Sequence, residues 1–296
     1  LLMIRCLLVG LIFFISISAV SAQLAPNVVV SIRPIHSIVS ALMDGVSEPK
    51  LLLDSNESAH TFHLKPSQLN MLSKADLVIT IGDRFETGLS KGLRHIDEKS
   101  LLAVSEINEL RIYNSRNQDG ISETEGHKDL HLWLDVDNVQ IIAQHISERL
   151  IELDPGNTSN YKANFSELES KLNQLNEVLQ LQLEPLKSAS FAVFADRLQY
   201  LEKKFEMQKP VIITPYHGSR LSINKALKAK NSMKNLGVKC LIYGPENTSK
   251  QVAVLSEGLN INTHSVDIIG VKLNTGSEQY FHLMKEISSQ LATCLE

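Results

Sequence analysis

The sequence predicts an α/β protein of two lobes, each with a mainly parallel sheet, joined by one long linking helix. Short β-branched runs alternate with helical patterns through the first half of the chain and again through its last third. Between these regions lies one uninterrupted amphipathic pattern. We therefore expect an N-terminal lobe at residues 23–156, the linking helix at 157–187 and a C-terminal lobe at 188–296.

The N-terminal lobe has strand candidates separated by helical patterns. The strands are "NVVVSI", "PKLLLD", "DLVITIG" and "LLAVSE", and the helices between them are "PIHSIVSALMDGV", "PSQLNMLSKA" and "TGLSKGLRH". Pro66 is suited to the first position of its helix. The polar stretch "YNSRNQDGISETEGHKD" has no periodicity and predicts a mobile loop, which the segment "LHLWLD" and another helix follow.

The linking helix is predicted by apolar residues that recur in steps of three and four from Tyr161 to Leu179. A helix over about 159 to 184 would be roughly 39 Å long at 1.5 Å per residue. A coiled-coil dimer is the alternative, but the seam is short and few charges flank it. We therefore expect a monomer.

The C-terminal lobe repeats the alternation, which predicts a second parallel sheet. Its strand candidates are "SFAVFA", "PVIIT", "KCLIYG" and "INTHSVDII". Its helices are "RLQYLEKKF", "SINKALKAKNSMKNLG", "SKQVAVLSEGL" and "SEQYFHLMKEISSQLATCL".

The N-terminal stretch "IRCLLVGLIFFISISAVSAQ" has one arginine, an apolar run of about fifteen residues and a small-residue end. This pattern predicts a signal peptide at residues 1–22, cleaved near Ala22, with an uncleaved anchor as the alternative. The mature chain is then exported to the periplasm, without stable membrane insertion. In that compartment Cys240 and Cys294 predict one disulfide, with two buried thiols as the alternative.

The charge pattern excludes one class of partner. The net charge is −4, the isoelectric point is near 6.2, and aromatic residues are sparse. No basic stripe interrupts this composition, so we expect no nucleic-acid partner.

Three donor side chains lie near the predicted carboxyl ends of strands, where open α/β sheets bind ligands. His60 follows "KLLLD", His131 opens "HLWLD", and Asp267 ends "THSVD". Each histidine taken alone is better explained as structural or solvated. Together, two imidazoles and a carboxylate from both lobes suit an ion such as Zn²⁺ or Mn²⁺.

Several blocks of the chain match one known pattern. The blocks "SAHTFHLKPSQLNMLSKADLVITIG", "HLWLD", "FADRLQYLEKKF" and "VDIIG" resemble those of the metal-binding solute-binding proteins of bacterial ABC importers, of the zinc-uptake (ZnuA-like) type. The resemblance implies that the protein carries Zn²⁺, ahead of Mn²⁺, to an inner-membrane ABC permease and is not an enzyme. It places ligands at His60, His131 and Asp267.

One block departs from that pattern, because the family has Phe-His-Asp where this chain has Ala195 in the position of the histidine. Three alternatives follow from this departure. Water occupies the fourth ligand position, or a nearby histidine replaces the missing ligand, or the protein no longer binds metal. The candidate replacements are His217, which follows a strand and is preferred, His63, His264 and His127.

Two other functions compete with a receptor. A zinc hydrolase needs an open metal position and a general base, but the chain has no HExxH motif and Asp196 is the only candidate base. A degenerate adhesin or partner-binding protein on the same scaffold is the other alternative.

Overall fold

The computed structural model describes residues 25–53, 62–94, 96–117, 127–214 and 221–296. The predicted signal peptide, His60 and His217 lie outside these residues. Among the helices in these five ranges, none is both long enough and apolar enough to cross a membrane.

Two four-stranded sheets form the two lobes, with strand orders β2-β1-β3-β4 and β6-β5-β7-β8. Every pairing within them is parallel, which confirms the predicted fold class. The strands are β1 (Val28–Val30), β2 (Lys50–Leu51), β3 (Leu77–Thr80), β4 (Leu101–Ala103), β5 (Phe191–Ala195), β6 (Val211–Thr214), β7 (Cys240–Tyr243) and β8 (Asn262–Ser265). Buried apolar residues fill β1 and β3, as parallel strands covered on both faces require.

The helices cover these sheets. They are α1 (Arg33–Leu42), α2 (Pro66–Leu72), α3 (Ser90–Leu93), α4 (Val136–Leu153), α5 (Thr158–Leu183), α6 (Gln199–Lys204), α7 (Ile223–Asn235), α8 (Ser249–Ser256) and α9 (Gln279–Leu295). Proline occupies the start of α1 and of α2, where its missing N–H has no helical partner to lose.

The linking helix is α5, which has 26 residues and begins and ends one residue before the predicted limits. At 1.5 Å per residue it is about 39 Å long. It packs against α1, α4 and α9, so its apolar stripe is buried within the monomer. The buried positions are Tyr161, Leu168, Leu172, Leu175, Leu179 and Leu183.

Helix α9 connects the two lobes because it packs against α1 of the N-terminal lobe as well as against β7 and β8 of the second sheet. The hydroxyl of Ser37 donates to the carbonyl of Ser277 at 3.0 Å and accepts from the amide of Tyr280 at 2.9 Å. The hydroxyl of Tyr280 donates to the carbonyl of Trp133 at 2.8 Å. Buried polar contacts therefore fix how the lobes face each other.

Two predicted strands are shorter than their apolar patterns. Only Lys50–Leu51 of "PKLLLD" pairs with β1, and only Asn262–Ser265 of the last candidate pairs with β7. Most of the remaining apolar residues, including Leu52, Val266 and Ile268, are buried outside the sheets. Burial in the core therefore explains why these residues are apolar although they lie outside the strands.

The predicted mobile loop has paired ends in the part that the structure describes. Asn114 and Lys128 form an antiparallel bridge, and the amide of Ser115 donates to the carbonyl of His127 at 2.9 Å. The loop therefore leaves and re-enters the lobe as a short ribbon, which brings Arg116 into the interior.

The predicted disulfide joins Cys240 in β7 to Cys294 in α9, with a Cα–Cα distance of 5.5 Å. Both cysteines are buried. The bond therefore anchors the C-terminal helix to the second sheet, and the prediction is confirmed.

Candidate metal centre

His131 lies immediately before a short 3₁₀ helix, Leu132–Leu134, at the face that the N-terminal lobe turns toward its partner lobe. Its Nδ1 is 2.7 Å from Oδ1 of Asp129, and its backbone amide donates to the same oxygen at 3.1 Å. A carboxylate in this position selects the tautomer with hydrogen on Nδ1 and orients the ring. A metal would therefore bind at Nε2.

Aromatic rings hold the same imidazole from two sides. The ring centroids of Phe85 and Trp133 lie 5.7 Å and 5.4 Å from that of His131, both in edge-on arrangements. Because the side chain of His131 is only 10% exposed, these rings exclude most water from it. Such a shell restricts the imidazole to one orientation.

The orienting carboxylate of Asp129 is itself held by the C-terminal lobe. Its Oδ2 accepts a hydrogen bond from Nε2 of Gln199 at 3.2 Å. Its backbone carbonyl accepts one from the hydroxyl of Tyr200 at 2.6 Å. Two residues of α6 therefore support the pair that positions His131, so the histidine depends on both lobes.

Asp267 follows β8, and its carboxylate is fixed by the loop after it. Oδ1 accepts from the amides of Ile269 at 2.9 Å and Gly270 at 3.0 Å, whereas Oδ2 accepts from the amide of Val271 at 2.7 Å. A carboxylate oxygen has two lone pairs, so Oδ2 has the greater remaining capacity for a cation.

One buried hydrogen bond connects the segment of His131 to the segment of Asp267 across the lobes. Nε1 of Trp133 donates to the carbonyl of Ile268 at 2.8 Å. Trp133 lies two residues after His131, and Ile268 lies one residue after Asp267. The structure therefore brings the segments of His131 and Asp267 to one point between the lobes.

A second buried network lies behind His131. Nε of Arg116 donates to Oδ2 of Asp196 at 2.9 Å, and Nη1 donates to Oε2 of Glu202 at 2.7 Å. Burial raises the pKa of Glu202 to about 7 and also raises that of Asp196, while Arg116 opposes both shifts. Asp129 and His131 lie within electrostatic range of Asp196. Two carboxyl groups thus share one guanidinium in a buried cluster that joins the two lobes.

The same network bears on the hydrolase alternative. Both oxygens of Asp196 contact Arg116, and the pair is almost fully buried. A carboxylate engaged in this way is poorly placed to accept a proton from a water molecule. Asp196, the one candidate base, is therefore engaged in an ion pair that connects the two lobes.

Ala195 ends β5, where its register partner is Thr214 of β6. It is half-buried and lines a small cavity together with Arg197, Gly244 and Ile268. Ala195 thus lies at the carboxyl edge of the second sheet, next to Ile268, the residue that follows Asp267.

The other candidate histidines that the structure describes, His63, His127 and His264, do not lie together in one cluster. His63 and His127 are exposed, and His264 is half-buried within β8 opposite Ile242. Across the described ranges, no group of three histidine, cysteine, aspartate or glutamate side chains has an arrangement that could hold a metal. His63 and His264 therefore do not complete such a group with His131 and Asp267.

Sequence reasoning missed three charged residues of this region. Asp129 had a readable signal, because it stands two residues before His131 with the spacing of a carboxylate that orients an imidazole. Arg116 lay in a stretch predicted to be a loop, and Arg197 had no distinguishing pattern. An arginine is ordinarily an exposed residue, so only the folded chain reveals that both are buried.

Comparison with known proteins places the chain among zinc-uptake components. Residues 28–294 match the family described as "Zinc-uptake complex component A periplasmic". The High-affinity zinc uptake system protein ZnuA of Brucella abortus (strain 2308) is 30% identical over 306 aligned positions, which cover 91% of each chain. The protein of the same name from Yersinia pestis is 25% identical, again over 91% of each chain.

Solved structures share the fold. A crystal structure of ZnuA superposes with a TM-score of 0.78 at 21% identity, covering 92% of this chain and 100% of that one. The SBP FpvC from Pseudomonas aeruginosa in complex with Mn²⁺ has a TM-score of 0.77 at 17% identity, covering 92% and 98%. With its two parallel-sheet lobes, long linking helix and family match over nearly its whole length, this chain belongs to the family of periplasmic zinc-uptake complex component A proteins.

Proposed function

We propose that this chain is the periplasmic metal receptor of a zinc-uptake ABC importer. In this role it captures Zn²⁺ between its lobes and delivers the ion to an inner-membrane permease. The observation that carries the proposal is the Asp129–His131 pair, which the Trp133–Ile268 hydrogen bond brings to the loop of Asp267.

The proposed ligands are His60, Nε2 of His131 and Oδ2 of Asp267, with water or His217 in the fourth position. Zn²⁺ accepts imidazole and carboxylate ligands in tetrahedral sites and tolerates water as the fourth. Two imidazoles favour Zn²⁺ over Mn²⁺, which prefers oxygen ligands. The buried carboxylate of Asp129, in contact with His131, supports a cation as the ligand.

Export and assembly complete the proposal. Residues 1–22 act as a cleaved signal peptide, and the mature chain works as a monomer in the periplasm. The apolar stripe of α5 supports a monomer because it is already buried against helices of the same chain. The receptor releases its ion unchanged, so no catalytic group is required.

Calorimetric titration of the metal-free protein with Zn²⁺ and Mn²⁺ tests the function and its ligands together. We expect one Zn²⁺ per chain, bound more tightly than Mn²⁺. His60→Ala and His131→Ala should each weaken Zn²⁺ binding by at least about a hundredfold, the upper end of the cost of losing an outer-shell partner.

His145→Ala is the matched control, because His145 lies on α4 and pairs with Glu109 at the surface. Equal affinities for all three variants would refute the ligand assignment. A wild-type protein that binds neither ion would refute the receptor and favour the partner-binding alternative.

A further inference from the structure

Arg197 places a positive charge beside the proposed metal site. It stands two residues after Ala195, and its side chain is only 9% exposed. The two residues line the same small cavity at the carboxyl edge of the second sheet. The position that lacks a ligand therefore has a buried cation as its neighbour.

Glu246, in the loop after β7, is the ion-pair partner of this guanidinium. Nη1 of Arg197 lies 3.3 Å from Oε2 of Glu246, and Nη2 contacts Oε1. A Cβ at Gly244 would lie 2.5 Å from Nη1 and 2.3 Å from Oε2, so the pair fills space that only glycine leaves. The arrangement is thus part of the folded lobe.

The guanidinium lies close to the segment of the proposed ligand carboxylate, since Ile268, which follows Asp267, lines the same cavity. Burial lowers the pKa of Arg197 to about 9, and the nearby negative charge of Asp267 opposes that shift. Arginine therefore remains charged at neutral pH and lies within electrostatic range of Asp267. Glu246 is 46% exposed, so water screens its charge more than it screens the buried guanidinium.

We propose that Arg197 sets the metal affinity of the site, because its guanidinium opposes a dication bound at Asp267 while Glu246 limits that opposition. This inference rests on the proposed function and deepens it. The chain combines the loss of an imidazole at Ala195 with the gain of a neighbouring cation, and both lower affinity. The resulting receptor releases its ion more readily than one with four ligands and no such charge.

Opposite charge changes within the pair distinguish this role from a structural one. Arg197→Met keeps the length of the side chain without its charge, and it should raise Zn²⁺ affinity about tenfold, or about 1.4 kcal/mol. Mn²⁺ affinity should rise by a similar factor, since the repulsion depends on the charge of the ion. Glu246→Gln should lower both affinities severalfold because it removes one negative charge from the pair.

Calorimetry with each ion on the full mature chain measures these effects, and thermal melting confirms that each variant is folded. Lys187→Met is the matched control, since it removes a cation from ion pairs with Glu184 and Glu206 at the end of the linking helix and should leave affinity unchanged. If the pair only holds the loop, both substitutions will weaken binding, which would overturn the proposal.

Three further outcomes also bear on the proposal. A folded Arg197→Met protein with wild-type affinity would overturn the inference while the receptor function stands. If that variant fails to fold, Arg197→Gln takes its place, with higher affinity supporting the proposal and unchanged or lower affinity refuting it. A wild-type protein without metal binding would remove the proposed function and this inference with it.

Discussion

Replacing Asp129 by asparagine removes the charge behind His131 but keeps the shape of the side chain. The bond from Nδ1 of His131 to Oδ1 of Asp129 is 2.7 Å long, in the range of charge-assisted hydrogen bonds. The asparagine carbonyl can still accept this bond, so the ring should stay in place while the imidazole becomes a weaker donor to metal.

Loss of an outer-shell partner of this kind typically lowers metal affinity 10- to 100-fold, or about 1.4 to 2.7 kcal/mol. We expect Asp129→Asn to reduce Zn²⁺ affinity by that factor. Calorimetric titration at neutral pH, in the presence of a competing chelator, measures the change. Melting temperatures of the metal-free proteins report separately on the fold.

Asp154→Asn is the control, because Asp154 is also a buried carboxylate with side-chain donors. It accepts hydrogen bonds from the hydroxyl of Tyr161 at 3.0 Å and from Nδ2 of Asn157 at 2.8 Å, at the far end of α4. This substitution should lower stability and leave Zn²⁺ affinity unchanged. A folded Asp129→Asn protein with wild-type affinity would refute metal binding through His131.

Three further variants test other features. Ala195→His supplies an imidazole at the end of β5 and should raise Zn²⁺ affinity about tenfold in calorimetry. Unchanged affinity would indicate that another residue already occupies this ligand position, and His217 is the first candidate. Replacing both Cys240 and Cys294 by alanine opens a loop with a sequence separation of 54 and should lower the free energy of unfolding by about 2 to 5 kcal/mol in urea titrations. Free thiols on both cysteines of the purified wild-type protein would contradict that expectation. Burial raises the pKa of Glu86 from its ordinary 4.5 to about 7. Between these pH values the Glu86 carboxyl is protonated in the native chain and ionised in the unfolded chain. Its contribution to the free energy of unfolding should therefore fall as pH rises from 4.5 to about 7. Glu86→Gln should flatten that slope in urea titrations across the same range, and an unchanged slope would contradict the assignment.

The sequence by itself determined the features that follow from local patterns. The spacing of apolar residues in α5 predicted its limits to within one residue, because a helix repeats every 3.6 residues whatever surrounds it. The alternation of strands and helices predicted two parallel sheets, since parallel neighbours need a crossover between them. The cysteine pair, in a chain predicted to be exported, predicted the disulfide between Cys240 and Cys294.

Only the tertiary structure decided how the candidate site is assembled and charged. The bond between Trp133 and Ile268 joins residues 135 positions apart, and that between Arg116 and Asp196 joins residues 80 positions apart. No local periodicity encodes contacts at that separation. An isolated arginine in a sequence also carries no sign of its burial, which depends on an acidic partner brought by another element. For that reason the family resemblance pointed to Ala195 as the position that departs from the pattern, and only the fold placed a guanidinium beside it.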